Sequence, residues 1–393
     1  MKLPYACRSR RDDILFHFIY RYYEGILFSE ENGIFFCAIS PANDHRACTN
    51  GHLTGNKYGG NIMHMADALV SPVIAGTMYA CSAAAAAYSI HKIRLEDEPN
   101  KVPLMGVMGA FVFSAQMINF TIPGTGSSGH LCGGMMLSAL LGPYAGFITM
   151  IGVLLVQGLL FADGGLLALG CNVWNMAFYG CFVGTLVIWK AIMRSGISKK
   201  KIAAASILGC VLTLQLGAFS VTLETLASGI TELPFTVFLA AMQPIHLAIG
   251  FVEGLITAAV LCFVCDARPE LLYGNSAADK SAGRFDFKTT ISILAICAIL
   301  IGGGLSLAAS SKPDGLEWSM ERVAGTTELE AEGGIYDSAA AAQEAVSILP
   351  DYAFKDSESA VGTSFSGIVG GIVVCALCVG ACMIFKFFKK EQL

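Results

Sequence analysis

The chain has 393 residues, of which 54% are hydrophobic and only 14% charged, with mean hydropathy +0.61. Soluble domains carry about a quarter charged residues, so that class is excluded, and a net charge of −5 offers nothing to attract nucleic acid. Apolar runs long enough for ~30 Å of hydrocarbon recur throughout. They are rich in Ala, Leu, Gly and Val rather than short and alternating, which predicts an all-α polytopic membrane helix bundle and not a barrel.

Residues 1–62 differ from the rest. They hold seven of the 25 Lys+Arg, three of the 14 Cys and three of the seven His, with no span among them. The stretch Ile14–Ser29 is interrupted by His17, Arg21 and Glu24 and lacks the apolar core and cleavage site of a signal peptide. Just before Met63 stands Gly59-Gly60-Asn61-Ile62. Gly-Gly can be encoded by GGAGG, the core of a bacterial ribosome-binding site, and Asn-Ile by an A/T-rich spacer. We therefore expect residues 1–62 to be an untranslated leader rather than a cytoplasmic extension or a pro-segment. The consequence is chemical. A chain that begins Met63-His64 carries an α-amine, an amide and an imidazole that can close five- and six-membered chelate rings around one metal ion.

Beyond Met63, spans are predicted at about 68–91, 103–121, 131–141, 143–161, 166–189, 202–228, 235–264, 289–309 and 365–385. Seven of these segments precede residue 270 and two follow it. Segment 131–141 is too short to cross alone unless it is a half-helix or tilted. With the Met63 end outside and every segment crossing, the inner loops hold fifteen Lys and Arg, including Lys92, Lys190, Arg194, Lys199 and Arg268. The short outer loops hold none, and the outer segment 310–364 holds only Lys312, Arg322 and Lys355. This is the positive-inside asymmetry. It puts Met63 and His130 on the same, outer side and the C-terminus inside.

Four histidines follow the leader. His91 beside Lys92 at an inner helix end reads as solvated or capping, and His246 inside span 235–264 as a structural hydrogen-bond partner before a ligand. His130 ends the glycine-rich loop Pro123-Gly124-Thr125-Gly126-Ser127-Ser128-Gly129-His130, whose backbone can fold inward and present an imidazole. Beside a free Met63-His64 terminus it is the natural fourth nitrogen. Asp67 reads equally as a carboxylate ligand or a helix N-cap and is not counted as a ligand.

Several of these stretches closely resemble the CbiM/NikM family, the substrate-binding membrane components of energy-coupling-factor ABC transporters for cobalt and nickel. They are Met63-His64-Met65-Ala66-Asp67-Ala68-Leu69, Gln116-Met117-Ile118-Asn119-Phe120, Gly126-Ser127-Ser128-Gly129-His130 and Phe161-Ala162-Asp163-Gly164-Gly165. The likeness runs from Met63 to about Leu272. It implies a metal held by the Met63 amine, the His64 amide and imidazole, and His130, and a chain that starts at its methionine. Gln116, Asn119, Ser127 and Ser128 are the nearest candidates to orient the imidazoles, though each could simply pack helices. The cargo is Co2+ or Ni2+, with no permanent cofactor. Four planar nitrogens suit Ni(II) and also Cu(II). Cobalt uptake would serve cobalamin biosynthesis.

Pro313-Asp314-Gly315-Leu316-Glu317 resembles the PDGLE motif of the small CbiN/NikN-type accessory component. Residues 285–393 are therefore expected to be a fused accessory module, two helices around the outer segment 310–364, with 63–272 as the metal-binding part. That segment carries eleven acids against three basic residues. Much of 326–364 reads as a solvated linker, and the acids as a means of raising local cation concentration rather than as ligands. Cys262-x-x-Cys265 and Cys375-x-x-Cys378 have no matching second pair and read as chance spacing. Cys132 is a soft donor two residues from His130.

No phosphate-binding G-x-x-x-x-G-K-[ST] loop follows Met63, so this is read as a transporter subunit and not an enzyme. The resemblance implies separate ATP-binding subunits and a transmembrane coupling subunit, besides membrane lipid. The run Cys81–Ala87 would give that coupling subunit a smooth face, or pack within the bundle. An ATP-independent secondary carrier is the alternative, with Glu224 and Glu253 as its intramembrane acids.

Overall fold

The computed structural model describes residues 64–93, 100–275, 283–327, 329, 331, 333–355 and 359–390. Met63 and the expected leader 1–62 lie outside the described residues, as do Arg94 and Lys280 of the inner charge set. The elements are helices α1 (Pro72–Lys92) and α2 (Lys101–Gln116), a two-residue antiparallel ladder of β1 (Phe120–Thr121) with β2 (Ser128–Gly129), then α3 (Gly134–Leu141), α4 (Pro143–Leu160), α5 (Leu169–Met193), α6 (Lys199–Ser228), α7 (Phe235–Ala267), α8 (Phe287–Gly303), α9 (Gly315–Ala324), α10 (Gly334–Val346) and α11 (Ala360–Lys390).

The all-α membrane bundle is as expected. Helices α1, α4, α5, α6, α7 and residues Val361–Ile384 of α11 are long and apolar enough to cross a membrane, and α8 is apolar but only 17 residues long. Two segments fall short of a span. Helix α2 has 16 residues, about 24 Å at 1.5 Å each, because the chain leaves it at Met117 to build the loop that carries His130. Helix α3 has eight residues, all buried, or roughly 12 Å. The chain turns at Gly142, at φ +79°, and restarts at Pro143, the first position of α4, where proline loses no hydrogen bond. Segment 131–141 is thus a short irregular stretch and a half-helix sunk in protein, a backbone form that lipid itself does not tolerate.

Contacts fix the two ends of the bundle. At one end Lys199 Nζ meets Asp266 Oδ2 at 2.7 Å, Trp189 Nε1 donates to the Tyr273 carbonyl, and the Tyr273 amide donates to the Ala139 carbonyl. At the other end lie His64, Asp163 and the β1–β2 loop. Helices approach through small residues. A Cβ on Gly134 would lie 2.8 Å from the Met176 carbonyl oxygen, one on Gly217 2.7 Å from that of Asn175, and one on Gly254 2.6 Å from Ile207 Cα. Helices α8 and α11 pack against α2, where a Cβ on Gly106 would lie 2.9 Å from Cys375 Sγ.

The linker expectation for 326–364 is corrected. Gly334–Val346 is helical, and the chain after it adheres to the main bundle. The Ile348 and Leu349 amides donate to the Leu160 carbonyl and the Asp351 amide to that of Phe161, while Tyr352 stacks on Phe161 at 4.8 Å. The buried pair Leu349 and Tyr352 drives this, a short pattern masked by the surrounding acids. His91 is exposed at the end of α1, as expected. The eleven described cysteines are free thiols, Cys262, Cys265, Cys375 and Cys378 among them.

Candidate metal site

His64 is 3% exposed and is held from both sides of the chain. Its neighbour Met65 is clamped by Asn172 of α5. The Met65 amide donates to Asn172 Oδ1 at 3.0 Å, Asn172 Nδ2 donates to the Met65 carbonyl at 3.1 Å, and the Gly165 amide donates to the same carbonyl at 3.0 Å. Asp67 does not cap α1. Its Oδ1 accepts from the Ala168 amide at 2.9 Å, and the residue preceding α1 is Ser71. Burial raises the Asp67 carboxyl above its ordinary value against the lowering effect of these amides. The chain near His64 is therefore tied to the α4–α5 turn along its whole length.

That turn supplies the partner of the ring. His64 Nδ1 lies 2.7 Å from Asp163 Oδ1, an ion-pair distance without in-line hydrogen-bond geometry, and Nε2 has no hydrogen-bond partner. The Tyr352 hydroxyl donates to Asp163 Oδ2 at 2.6 Å. Burial opposes ionisation of Asp163, but His64, the Tyr352 hydroxyl and His130 outweigh it and hold the carboxyl below its ordinary value. Gly164 sits at φ +84°, and a Cβ there would fall 2.7 Å from His64 Cβ, so the Gly-Gly pair is needed for the turn to wrap the histidine.

His130 closes the other side. Its ring centroid is 5.6 Å from that of His64, tilted by 49°. Nδ1 lies 3.1 Å from the Leu131 carbonyl. A carbonyl only accepts, so Nδ1 is the donor there, and Nε2 lies 3.8 Å from Asp314 Oδ2. Glu253 of α7 fixes the loop just beyond by accepting from the Gly133 amide at 2.9 Å.

Of the four residues named as candidates to orient the imidazoles, Gln116, Ser127 and Ser128 bond main-chain carbonyls. Gln116 Nε2 donates to the Cys132 carbonyl at 2.9 Å and Gln116 Oε1 accepts from Gln157 Nε2. Asn119 is buried, and its carbonyl accepts from the Ser310 amide. Ser128 Oγ donates to the Lys312 carbonyl at 2.7 Å and the Ser128 amide to that of Pro313, while Ser127 Oγ lies 2.9 Å from the Ser128 carbonyl and 3.4 Å from that of Pro313. The two serines thus grip the PDGLE segment. Cys132 lines the cavity as a thiol whose Sγ donates to the Met176 carbonyl.

This grip brings in Asp314, which sequence reasoning set aside as one acid among eleven. Asp314 caps α9 through a reciprocal box with Glu317, Oδ1 accepting from the Glu317 amide at 2.8 Å, which leaves Oδ2 facing His130. Burial and the neighbouring Glu317 push its carboxyl well above the ordinary range. The signal was the spacing Asp-x-x-Glu, a capping box that aims one oxygen away from the helix. Tyr352 and Gln343 were missed as well. Gln343 Nε2 donates to the Gly158 and Gly164 carbonyls at 2.9 and 2.8 Å and steadies the Asp163 turn.

His64, His130, Asn175, His246 and Asp314 line one cavity of about 100 Å³, room for a few waters or one small ion with part of its hydration shell. Among the described residues no three His, Cys, Asp or Glu side chains converge closely enough to hold an ion by themselves.

Fold and site together define a multi-pass membrane protein with a cavity lined by three histidines, His64, His130 and His246, near one end of its bundle. The chain belongs to the family described as the cobalt uptake substrate-specific transmembrane region, which it matches over residues 64–271, and it carries a PDGLE domain over 288–387. It is 37% identical over 315 residues to a putative fused nickel transport protein NikMN of Archaeoglobus fulgidus, covering 80% of this chain and 96% of that one. It is 30% identical to a probable fused nickel transport protein LarMN of Lactiplantibacillus plantarum, over 66% of this chain and 79% of that one. It is 29% identical to a cobalt transport protein CbiM of Geobacter sulfurreducens, over 67% and 78%. The crystal structure of a truncated transition metal transporter aligns with TM-score 0.45 and 29% identity, covering 51% of this chain and 98% of that one. Metal uptake, rather than enzymatic turnover, is the function this relationship supports.

Proposed function

We propose that this chain is the substrate-capture subunit of an energy-coupling-factor ABC transporter for Co2+ or Ni2+. In this reading the ion is held by the free amine of Met63, the amide nitrogen and imidazole of His64, and His130. The observation that carries the reading is the pairing of His64 and His130 across one cavity, with the Met65 main chain locked behind them. Since no three side-chain donors converge there, main-chain nitrogen completes the set. The chelate uses Nδ1 of His64. A half-turn about Cβ–Cγ exchanges the ring edges and releases Nδ1 from Asp163, whose carboxylate then serves as counter-charge to the metal-bound ring.

Four nitrogens in a plane suit Ni(II). Amine and amide both lose protons on binding, so affinity falls as pH falls. Residues 1–62 are then a leader absent from the working protein, a reading supported by a family match that begins at residue 64. Energy comes from separate ATP-binding subunits through a transmembrane coupling subunit, because no phosphate-binding loop follows Met63. The protein sits in the cytoplasmic membrane with the site end outside and the C-terminus inside. Clustering of Lys190, Lys199 and Asp266-paired charge at the opposite end agrees with that orientation. A self-sufficient carrier would use Glu224 and Glu253 as a path, but Glu224 accepts from Asn175 at 2.7 Å and Glu253 from Gly133, holding structure rather than lining a channel.

The test is metal analysis of desalted protein begun at Met63 beside protein begun at Met1. We expect near-stoichiometric Ni(II) or Co(II) in the first and little in the second; equal loading overturns the amine chelate. His130→Ala should lose tight binding with the fold intact. Uptake in cells should stop when the phosphate-binding lysine of the partner ATPase is replaced, and uptake that persists would favour the ATP-independent carrier.

A further inference from the structure

We propose that Gln116 and Gln157 are positioning residues, a bridge that sets the spacing of the two histidine-bearing segments and thereby favours Ni(II) over Co(II). The inference rests on the planar chelate proposed above and names what holds its two halves in register. The bridge runs between helices. Gln157 Nε2 of α4 donates to Gln116 Oε1, at the end of α2, at 3.0 Å, and Gln116 Nε2 donates on to the Cys132 carbonyl at 2.9 Å. Both side chains are fully buried. The main-chain carbonyl of the same Gln157 accepts from the Asp163 amide at 3.1 Å, and Asp163 Oδ1 lies 2.7 Å from His64 Nδ1. One residue of α4 thus holds the His64 side of the cavity with its main chain and, through Gln116, the His130 side with its side chain.

The His130 end is fixed in orientation as well as in place. The Cys132 carbonyl and the Gly133 amide belong to one planar peptide unit, two residues beyond His130. Gln116 holds its oxygen and Glu253 Oε1 its N–H, at 2.9 Å each. A planar unit gripped at both poles cannot swing, which leaves His130 little slack. Helix α2 closes on the same unit, since a Cβ on Gly133, at φ +83°, would lie 2.4 Å from Val112 Cγ1.

Satisfying the start of α3 does not account for the whole arrangement. Glu253 pairs the Gly133 amide and Gln116 alone pairs the Cys132 carbonyl. Gln157 serves neither, and its own buried Oε1 has no hydrogen-bond partner among the described residues. A buried amide kept half-satisfied calls for a reason, and here the reason is what it joins. The chelate supplies the need. The Met63 and His64 nitrogens are spaced by their own rings, whereas His130 comes from another segment, so its distance is set by the fold. The two imidazoles stand 5.6 Å apart. Held in register they complete a nitrogen plane, the geometry that suits Ni(II). Freed, His130 lets water into the coordination shell, and an ion with less demand for a plane, Co(II), loses less.

The experiment uses the full-length protein begun at Met63 with Gln116→Met, Gln157→Met and the double substitution. Methionine matches glutamine in length and helix propensity, so packing is kept and only the hydrogen bonds go; thermal unfolding in detergent checks this. Chelator competition reads Kd for Ni(II) and for Co(II), and X-ray absorption reads the neighbours of Ni(II). Each single variant should weaken Ni(II) about tenfold or more, the scale of one buried hydrogen bond lost, and Co(II) by no more than about threefold. The Ni(II) spectrum should gain oxygen neighbours. The double variant should match Gln116→Met within about threefold, because both break the same connection. Equal losses for Ni(II) and Co(II), single effects that multiply in the double variant, or Ni(II) affinity within about threefold of the parent each overturn the bridge while the parent's planar spectrum stands. Six neighbours on the parent protein itself overturn the planar chelate, and the bridge with it.

Discussion

Asn172→Ala tests whether the clamp on Met65 is what makes the terminal nitrogens usable. Asn172 is 4% exposed and makes two main-chain bonds to Met65. Alanine removes both and offers no replacement. The Met65 carbonyl keeps its bond from the Gly165 amide, so its loss is that of one ordinary hydrogen bond, about 0.5–1.5 kcal/mol. The Met65 amide is left buried and unpaired, which costs about 1–3 kcal/mol. The sum, roughly 2–4 kcal/mol, falls on a segment that must be ordered for binding. At ~1.4 kcal/mol per decade it predicts Kd for Ni(II) about 30- to 1000-fold higher. Competition against a metal chelator reads Kd, and thermal unfolding in detergent reports whether the bundle itself is intact. A Kd within threefold of the parent, in protein that has lost the two bonds, would refute the claim that ordering of Met65 controls the site.

Three further outcomes follow from the same geometry. Tyr352→Phe removes the hydroxyl that donates to Asp163. A bond to a charged group contributes about 1.5–3 kcal/mol, so Ni(II) affinity should fall by roughly 10- to 150-fold in the same chelator competition. Gly164→Ala forces a Cβ into His64 Cβ at a backbone angle that side chains rarely adopt and should cost at least tenfold in affinity, whereas Gly274→Ala, equally positive in φ but in open space, should leave affinity unchanged. For Asp163 the sign is set by its lowered carboxyl. The unfolded chain binds its proton at higher pH than the folded one. The stabilisation is therefore complete above the ordinary carboxylate value and lost as pH falls through the lower folded value. Acid unfolding of Asp163→Asn should show a shallower loss below about pH 4, from a lower starting stability.

How much was legible depended on what each residue binds. His64 and His130 stand out because their types are rare here and their chemistry is local to short motifs. Spans α4 to α7 follow from long apolar runs that a few polar residues do not break. Segment 131–141 could be read for length but not for its course, because a buried half-helix and a short span have the same composition. Gln116, Ser127 and Ser128 were legible as polar residues near the loop. Their true partners, the carbonyls of Cys132, Lys312 and Pro313, were hidden because main-chain acceptors leave no mark in sequence and two of them lie some 185 positions away. Asp314 was lost among its acidic neighbours. Only the fold distinguishes the one acid whose second oxygen is aimed inward.

Each histidine of the site is backed by one carboxylate, and the C-terminal module acts on both. Asp163 backs His64 and is itself fixed by Tyr352, while Asp314 backs His130 directly. Charge explains the pairing. With the amide deprotonated, a divalent ion in the proposed chelate leaves about one positive charge in a buried space, where an unpaired charge is expensive. Asp163, held ionised by its neighbours, offsets it permanently. Burial and Glu317 push the Asp314 carboxyl upward, so a second buried anion is disfavoured until a cation is beside it. Fusing the PDGLE module to the metal-binding domain keeps Asp314 and Tyr352 in every copy of the site.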